Sequence, residues 1–172
     1  MHMTDLDFRN AFHTHKDVLY RFVYRMTGSA SGAEDVVQDC FLALWQKPAA
    51  YDPNRGTLRA FLLGIARKLV LKRWRDEHPH DALQENSSIC WPVDLPSRER
   101  AEMVARAVQM LAPLQREAII LAEYEDMTLE EIARATESEV AGVKSRLHRA
   151  RANLRRMLAP LLEERGTAYG NR

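Results

Sequence analysis

Apolar side chains recur three or four residues apart along most of the chain, which is the spacing of an amphipathic α-helix. The first helix is predicted from about Thr4 to Met26, and Gly28 follows it in the position where a left-handed residue ends a helix. The second is predicted to begin at Ser31, which with Glu34 matches a capping box, and to continue to about Lys47. The pattern therefore predicts an all-α protein.

A turn-rich loop, Tyr51 to Thr57, separates the second helix from a third one over residues 58–75, with Thr57 as its cap. Residues 77–96 then contain three prolines and several carboxylates without any periodicity. Such a composition is typical of a linker between folded units. We thus predict a first small helical domain at 1–76 and a flexible linker at 77–96.

The second half of the chain predicts a helix-turn-helix. Ser97 can cap one helix, and Pro113 can open the next at the position where proline is tolerated. Thr128 and Glu131 match another capping box, a turn is expected near residues 136–138, and a long helix is expected over 140–158. This second domain is predicted at 97–162, and a polar tail follows at 163–172. In the last helix the apolar stripe leaves four side chains pointing away from the core: Lys144, Ser145, His148 and Arg149.

Charge is segregated along the chain although its total is nearly balanced. The sequence has 25 Lys and Arg against 24 Asp and Glu, so the net charge indicates no partner. No carboxylate occurs between Arg59 and Arg75, and none occurs from Val140 to Leu158. Two basic helical faces fit a polyanion, while an ordinary solvated surface is the alternative for each. Phe61 and Trp74, interleaved with the first set, are either stacking platforms or core residues.

The second predicted helix has the opposite character. It carries a polar face of Glu34, Asp35, Gln38 and Asp39, and no Lys or Arg follows in sequence before Lys47. A basic partner surface is one explanation for such a face. The alternative is that acidic residues in a first turn simply favour the helix dipole.

Several function classes are disfavoured by what the sequence lacks. It has no apolar run of membrane-spanning length and no signal-peptide core, so we expect a cytoplasmic protein without membrane insertion. Cys40 lies in an apolar stripe, which predicts that it is a small buried hydrophobic residue. A disulfide with Cys90 is not expected, because the compartment is reducing. His13 and His15 could be joined by His78 and His80, but two His-x-His pairs without a Cys or carboxylate at ligand spacing are weak evidence, so no metal is predicted. Without a phosphate loop or nucleophile motif we expect no enzyme, no cofactor and no small-molecule substrate.

Four segments together resemble the bacterial extracytoplasmic-function (group 4) sigma factors of the sigma-70 family. The segments are SGAEDVVQDCFLALW, FLLGIARKLVLKRWR, LAPLQREAIILAEYEDMTLEEIARAT and VKSRLHRARANLRRML. The resemblance covers residues from about Leu6 to Leu158. It implies a sigma region 2-like helical bundle and a sigma region 4-like helix-turn-helix, and hence a subunit that directs core RNA polymerase to promoters.

The resemblance also implies roles for individual residues. Core polymerase would be contacted by Glu34, Asp35, Gln38, Asp39 and Trp45. The minus-ten element would be recognised and opened by Tyr51, Asn54, Arg55, Thr57, Phe61, Arg67, Lys68, Lys72 and Arg75, with extruded bases held by stacking and hydrogen bonds. The minus-thirty-five element would be read by Lys144, Ser145, His148 and Arg149, with Arg146 and Arg151 nearer the phosphates. Members of the family are often held inactive by an anti-sigma factor, which is therefore an expected partner.

The sequence departs from the family pattern at three places. Lys68 and Lys72 stand where many members have Asn and Asp, and Ala141-Gly142 replaces the usual Gly-Thr. His148 is titratable where Phe or a similar residue is frequent. Promoter preference is therefore open. A stand-alone helix-turn-helix regulator is the alternative function, although it would leave the first domain without a task.

Overall fold

The computed structural model of the chain describes residues 4–78 and 99–159, apart from the side chains of residues 5, 6 and 99. These residues form seven α-helices in the described part of the chain, with bounds as follows: α1 Asp5–Thr27, α2 Ala30–Gln46, α3 Leu58–Glu77, α4 Glu99–Met110, α5 Pro113–Ile119, α6 Leu129–Ala135 and α7 Val140–Met157. The all-α prediction is confirmed. Apart from Glu77 and His78, the predicted linker lies outside the described residues, as do Ser97, Cys90 and the polar tail.

Helices α1, α2 and α3 pack together as the first domain. Thr4 caps α1 in a complete capping box with Asp7, and Gly28 ends the helix at φ 71° as expected. The core is built from fully buried side chains on all three helices, among them Phe22, Cys40 and Leu62. Burial raises the pKa of the Cys40 thiol to about 12, which fits its predicted role as a small hydrophobe.

The predicted start of α2 is wrong. The cap is Ser29, whose hydroxyl accepts a hydrogen bond from the Gly32 N–H at 3.0 Å. The reason is the tight left-handed turn at Gly28, which lets the next helix begin at once. Ser31 and Glu34 therefore form no capping box, and the first turn of α2 holds no acidic residue.

Helices α4 to α7 form the second domain. Pro113 opens α5, but the predicted continuous helix after it breaks into α5 and a π-helical turn at Ile120–Tyr124. Thr128 caps α6 in a complete capping box with Glu131, as predicted. The turn between α6 and α7 contains Glu137 in a left-handed conformation with φ 52°.

The two domains pack against one another and share one hydrophobic core, which extends from α1, α2 and α3 into α5, α6 and α7. α3 lies against α6, and α1 lies against α4 and the π-helical turn. Gly64 of α3 makes this approach possible, because a Cβ at that position would lie only 3.3 Å from the Ala135 carbonyl oxygen of α6.

Candidate nucleic-acid and polymerase interfaces

The outer face of α7 is open. Val143, Leu147 and Ala150 are buried against the rest of the second domain. The four side chains predicted to read bases are all exposed and lie on the opposite side of the helix: Lys144, Ser145, His148 and Arg149. A helix anchored on one side with polar and basic groups on the other has the geometry needed to enter a DNA major groove.

The two arginines predicted near phosphates make contacts within the second domain. Arg146 is half-buried and donates to the Ser138 hydroxyl at 2.9 Å, which ties α7 to the turn before it. Arg151 is exposed and donates to Glu123 at 2.7 and 3.2 Å. An exposed ion pair is worth little in water, so Arg151 can exchange Glu123 for a phosphate at small cost.

A cavity of about 380 Å³ collects part of the predicted minus-ten set. Its walls include Tyr51, Arg55, Thr57, Phe61 and Lys68. The rings of Tyr51 and Phe61 lie 5.6 Å apart between centroids and tilt by 50°. Aromatic rings and cationic side chains in one lining suit a flat base on a charged backbone.

The remaining residues of that set lie outside the cavity lining. Asn54 donates its backbone N–H to the Asp52 carboxylate at 2.9 Å and so shapes the loop. Lys72 and Arg75 are exposed on α3. Trp74 was expected to be either a core residue or a stacking platform. It is half-buried, and its ring stacks on the His78 ring with centroids 4.9 Å apart.

The second domain supplies the other side of the same cavity. Arg134, Ala135 and Glu137, at the end of α6 and the turn after it, complete the lining. The Lys68 ammonium lies 2.6 Å from the Glu137 carboxylate. Sequence reasoning missed this wall, because Glu137 lies 69 positions along the chain from Lys68, the α3 residue that it contacts.

Two further α3 cations pair with carboxylates of the second domain. Arg67 forms an ion pair with Glu117, whose side chain is only 1% exposed. Burial raises the pKa of Glu117 to about 7, against the opposing effect of the Arg67 and Arg146 charges. Arg59 donates to the Glu125 carboxylate at 2.7 Å and to the Glu125 backbone carbonyl at 2.9 Å. The Arg25 guanidinium lies 3.8 Å from the same carboxylate.

The predicted polymerase-contact face of α2 is exposed, but its charge is partly compensated. Its four polar residues, Glu34, Asp35, Gln38 and Asp39, are all exposed. Arg73 of α3 lies 3.9 Å from Asp35 and 3.2 Å from Asp39. Since these carboxylates lie beyond the first turn of α2, the helix dipole does not account for them.

An apolar patch adjoins this acidic face. Trp45 is 47% exposed and Leu42 is 52% exposed. Phe8 of α1 contacts the Trp45 ring edge-on, with centroids 5.0 Å apart. Exposed aromatic groups beside charges are typical of a protein-binding surface, and only Trp45 of these three was predicted to belong to it.

Two kinds of feature are absent from the part of the chain that the structure describes. Across residues 4–78 and 99–159 there is no cluster of three or more His, Cys, Asp or Glu side chains placed to hold a metal ion. In the same ranges no helix combines the length and the apolar character needed to cross a lipid bilayer.

Comparisons with known proteins match each half of the chain separately. Residues 11–79 match the family model of sigma-70 region 2, and residues 101–154 match that of sigma-70, region 4. The sequence is 32% identical over 154 residues to the ECF RNA polymerase sigma factor SigE of Mycolicibacterium smegmatis, covering 84% of this chain and 59% of that relative's length. It is 30% identical over 158 residues to the ECF RNA polymerase sigma factor SigL of Mycobacterium tuberculosis, covering 89% of both.

Two solved structures share the fold. One is the sigma factor RpoE in complex with the anti-sigma factor NepR from Bartonella quintana, with a TM-score of 0.68, 28% identity, and coverage of 89% of this chain and 97% of that one. The other is CnrH in complex with the cytosolic domain of CnrY, with a TM-score of 0.67, 26% identity, and coverage of 91% and 90%.

Proposed function

The chain belongs to the extracytoplasmic-function family of RNA polymerase sigma factors, and on that premise we propose that it binds core RNA polymerase and directs it to specific promoters. The observation that carries this proposal is the open face of α7. Its four exposed side chains stand opposite a buried apolar stripe in a helix-turn-helix that matches sigma region 4. That face would read the minus-thirty-five element as duplex DNA.

The first domain would bind core polymerase and recognise the minus-ten element. The exposed face of α2, with Asp35 and Asp39 beside Trp45, would dock on core polymerase. The cavity lined by Tyr51 and Phe61 would receive a base extruded from the minus-ten element. Extrusion costs a few kcal/mol, and stacking in a protein pocket offsets it.

This function requires no chemistry from the chain itself. Sigma factors are not enzymes, and catalysis of RNA synthesis would belong to the core polymerase. The protein would act in the cytoplasm, where core polymerase is found. A stand-alone helix-turn-helix regulator is not favoured, because the match to sigma region 2 accounts for the N-terminal half.

An anti-sigma factor is a further proposed partner. A protein of the same fold, the sigma factor RpoE of Bartonella quintana, was solved in complex with the anti-sigma factor NepR. The apolar patch of Leu42 and Trp45 and the charged faces of α2, α3 and α7 give a partner several surfaces to cover.

Transcription in vitro from a promoter library tests the function directly. Purified core polymerase would be supplied with the library, with and without this protein, and the RNA start sites would be mapped. We expect a new set of start sites that share elements upstream. Identical start sites in both reactions would refute the proposal.

A further inference from the structure

We propose that Gln115 of α5 and Asn153 of α7 form a positioning pair, which sets the angle at which α7 presents its base-reading face. The inference rests on the proposed function and deepens it, because it concerns how that face meets the minus-thirty-five element. Neither amide needs to touch DNA. Both act through the placement of the exposed side chains Lys144, His148 and Arg149.

The two side chains are joined by a buried hydrogen bond. The Asn153 Nδ2 donates to the Gln115 Oε1 at 2.8 Å. Gln115 is 0% exposed although it is a polar residue, and Asn153 is half-buried. A buried amide has lost its hydration, so arrangements that keep its protein partners are strongly preferred. The contact therefore favours one placement of α7 against α5.

Arg156 fixes the orientation of the Asn153 amide. Its guanidinium donates to the Asn153 Oδ1 at 2.9 Å. A guanidinium has donors and no acceptor, so the amide oxygen must face Arg156, and the amide nitrogen is left to face Gln115. The three side chains thus form a directed chain of hydrogen bonds from the exposed side of α7 to the interior of the second domain.

A second polar contact holds α7 nearer its N-terminus. Arg146 donates to the Ser138 hydroxyl at 2.9 Å, and that hydroxyl donates to the Thr136 backbone carbonyl at 3.2 Å. Arg146 lies within the base-reading segment 144–149, whereas Asn153 lies about two turns further along the helix. A rod held at one point can still pivot about that point. The contact of Asn153, about 10 Å away along the axis, removes this freedom.

Apolar packing alone leaves the angle of α7 loosely determined. Val143, Leu147 and Ala150 are buried against the rest of the second domain, but apolar contacts are individually weak and have no preferred direction. Angles between packed helices accordingly vary by about 15–20° within one packing class. A functional contact such as a hydrogen bond to a base edge tolerates a displacement of roughly 0.5 Å. The directed contact of Gln115 with Asn153 supplies the precision that the apolar stripe lacks.

Loss of the pair therefore affects base reading more than phosphate binding. Lys and Arg side chains that bind phosphates are long and can follow a small rotation of the helix, and their attraction carries no sequence information. Contacts with base edges require a fixed geometry, and a good one contributes about tenfold in discrimination against the wrong base. We expect discrimination between promoters to fall while the sequence-independent affinity is kept.

Substitutions of similar shape separate a positioning role from a role in stability. Asn153→Leu leaves the Gln115 Oε1 without this donor, so the domain should lose stability. The double variant Gln115→Met with Asn153→Leu replaces both amides by apolar groups, so stability should return towards that of the wild type while the directed contact stays absent. Asn10→Leu, the same change at an exposed position of α1, is the matched control.

Thermal denaturation of the full chain would measure stability, and transcription in vitro with core polymerase, run well below every denaturation midpoint, would measure discrimination. Discrimination is the ratio of transcripts from a selected promoter to transcripts from single-base variants of its minus-thirty-five element. We expect Asn153→Leu and the double variant to lower this ratio about tenfold. The double variant should be the more stable of the two, and Asn10→Leu should match the wild type in both measurements.

Three results would overturn the inference. They are a wild-type ratio in Asn153→Leu, a ratio that recovers in the double variant as its stability recovers, and an equal loss of transcripts from all promoters. The second would make the pair merely structural, and the third would make it a determinant of affinity alone. The proposed function fails separately, because a wild type that creates no new start sites in the library would refute it, and this inference with it, before any variant is compared.

Discussion

The two basic faces of the molecule, on α3 and on α7, are similar in sequence but differ in whether acidic side chains of the other domain pair with them. Each is a run of Lys and Arg without a carboxylate. On α7 the side chains proposed to read bases are exposed, whereas on α3 Arg59, Arg67 and Lys68 are paired with acids of the other domain. The absence of acids within a basic segment thus does not mean that the face is open, because compensation can come from far along the chain.

The difference has a simple cause in the placement of the second domain's acids. Glu117, Glu125 and Glu137 belong to α5, the end of the π-helical turn and the turn after α6, and these elements face the first domain. α7 packs against α5 and α6, and its basic side is turned outward. The second domain therefore pairs with part of the basic face of α3, where Lys68, Lys72 and Arg75 stay exposed, while the basic side of α7 faces solvent.

The largest effect is expected on a third surface, the exposed face of α2, which is proposed to bind core polymerase. Asp35→Lys should abolish binding to core polymerase, because it reverses the charge at an exposed position of the α2 face and adds a cation beside Arg73. Pull-down of core polymerase would measure it, and circular dichroism would confirm that the fold is kept. Glu130→Lys, an equal charge change on α6, should bind normally. Normal binding of core by Asp35→Lys would remove the docking assignment.

The next effect compares a half-buried cation of α3 with an exposed one of α7. Arg67→Gln should lower the free energy of unfolding by on the order of 3 kcal/mol, because it leaves Glu117 without its partner across the domain contact. Lys144→Gln, on the open face, should change it by less than about 0.5 kcal/mol. Urea denaturation would measure both. Equal losses would contradict the contrast between a covered and an open face.

The sequence predicted local features of the fold but not contacts between residues that are far apart along the chain. Helix spacing predicted α1, α3, α6 and α7 closely. The predicted caps Thr57 and Thr128 accept hydrogen bonds from backbone N–H groups three residues further on, which are local contacts. The cap of α2 was predicted at Ser31 but is Ser29, because the left-handed turn at Gly28 lets the next helix begin at once. The packing of the domains could not be predicted, because it depends on pairs such as Lys68 with Glu137, 69 residues apart. Glu117 directly precedes the apolar residues 118–122, and its burial is visible only in the structure.

A third prediction separates base reading from phosphate contact on the open face. Arg149→Ala should cost about 1 to 3 kcal/mol at its cognate base pair and relax preference there. Arg151→Ala should weaken binding to all sequences alike and reduce the salt dependence, since its guanidinium, now on Glu123, would bind a phosphate. Duplex-binding measurements over single-base variants of the selected promoter, at several salt concentrations, would distinguish them. Equal changes in base preference would show that the two roles are wrongly assigned.

The smallest effect should appear at mildly acidic pH and involve His15 of α1, whose ring interacts electrostatically with Arg59 of α3. Burial, and then the charge of Arg59, lower the pKa of His15 below its ordinary value of 6.5. The folded protein therefore takes up a proton less readily than the unfolded chain, so the contribution to stability is complete above pH 6.5 and declines as the pH falls below it.

Thermal denaturation between pH 7.5 and 5.5 would measure this loss. His15→Gln should reduce the loss, because a neutral amide has no proton to gain beside Arg59. If the His15 variant lost as much stability on acidification as the wild type, the acid response would belong to other groups, and His15 would not report on the surroundings of α3.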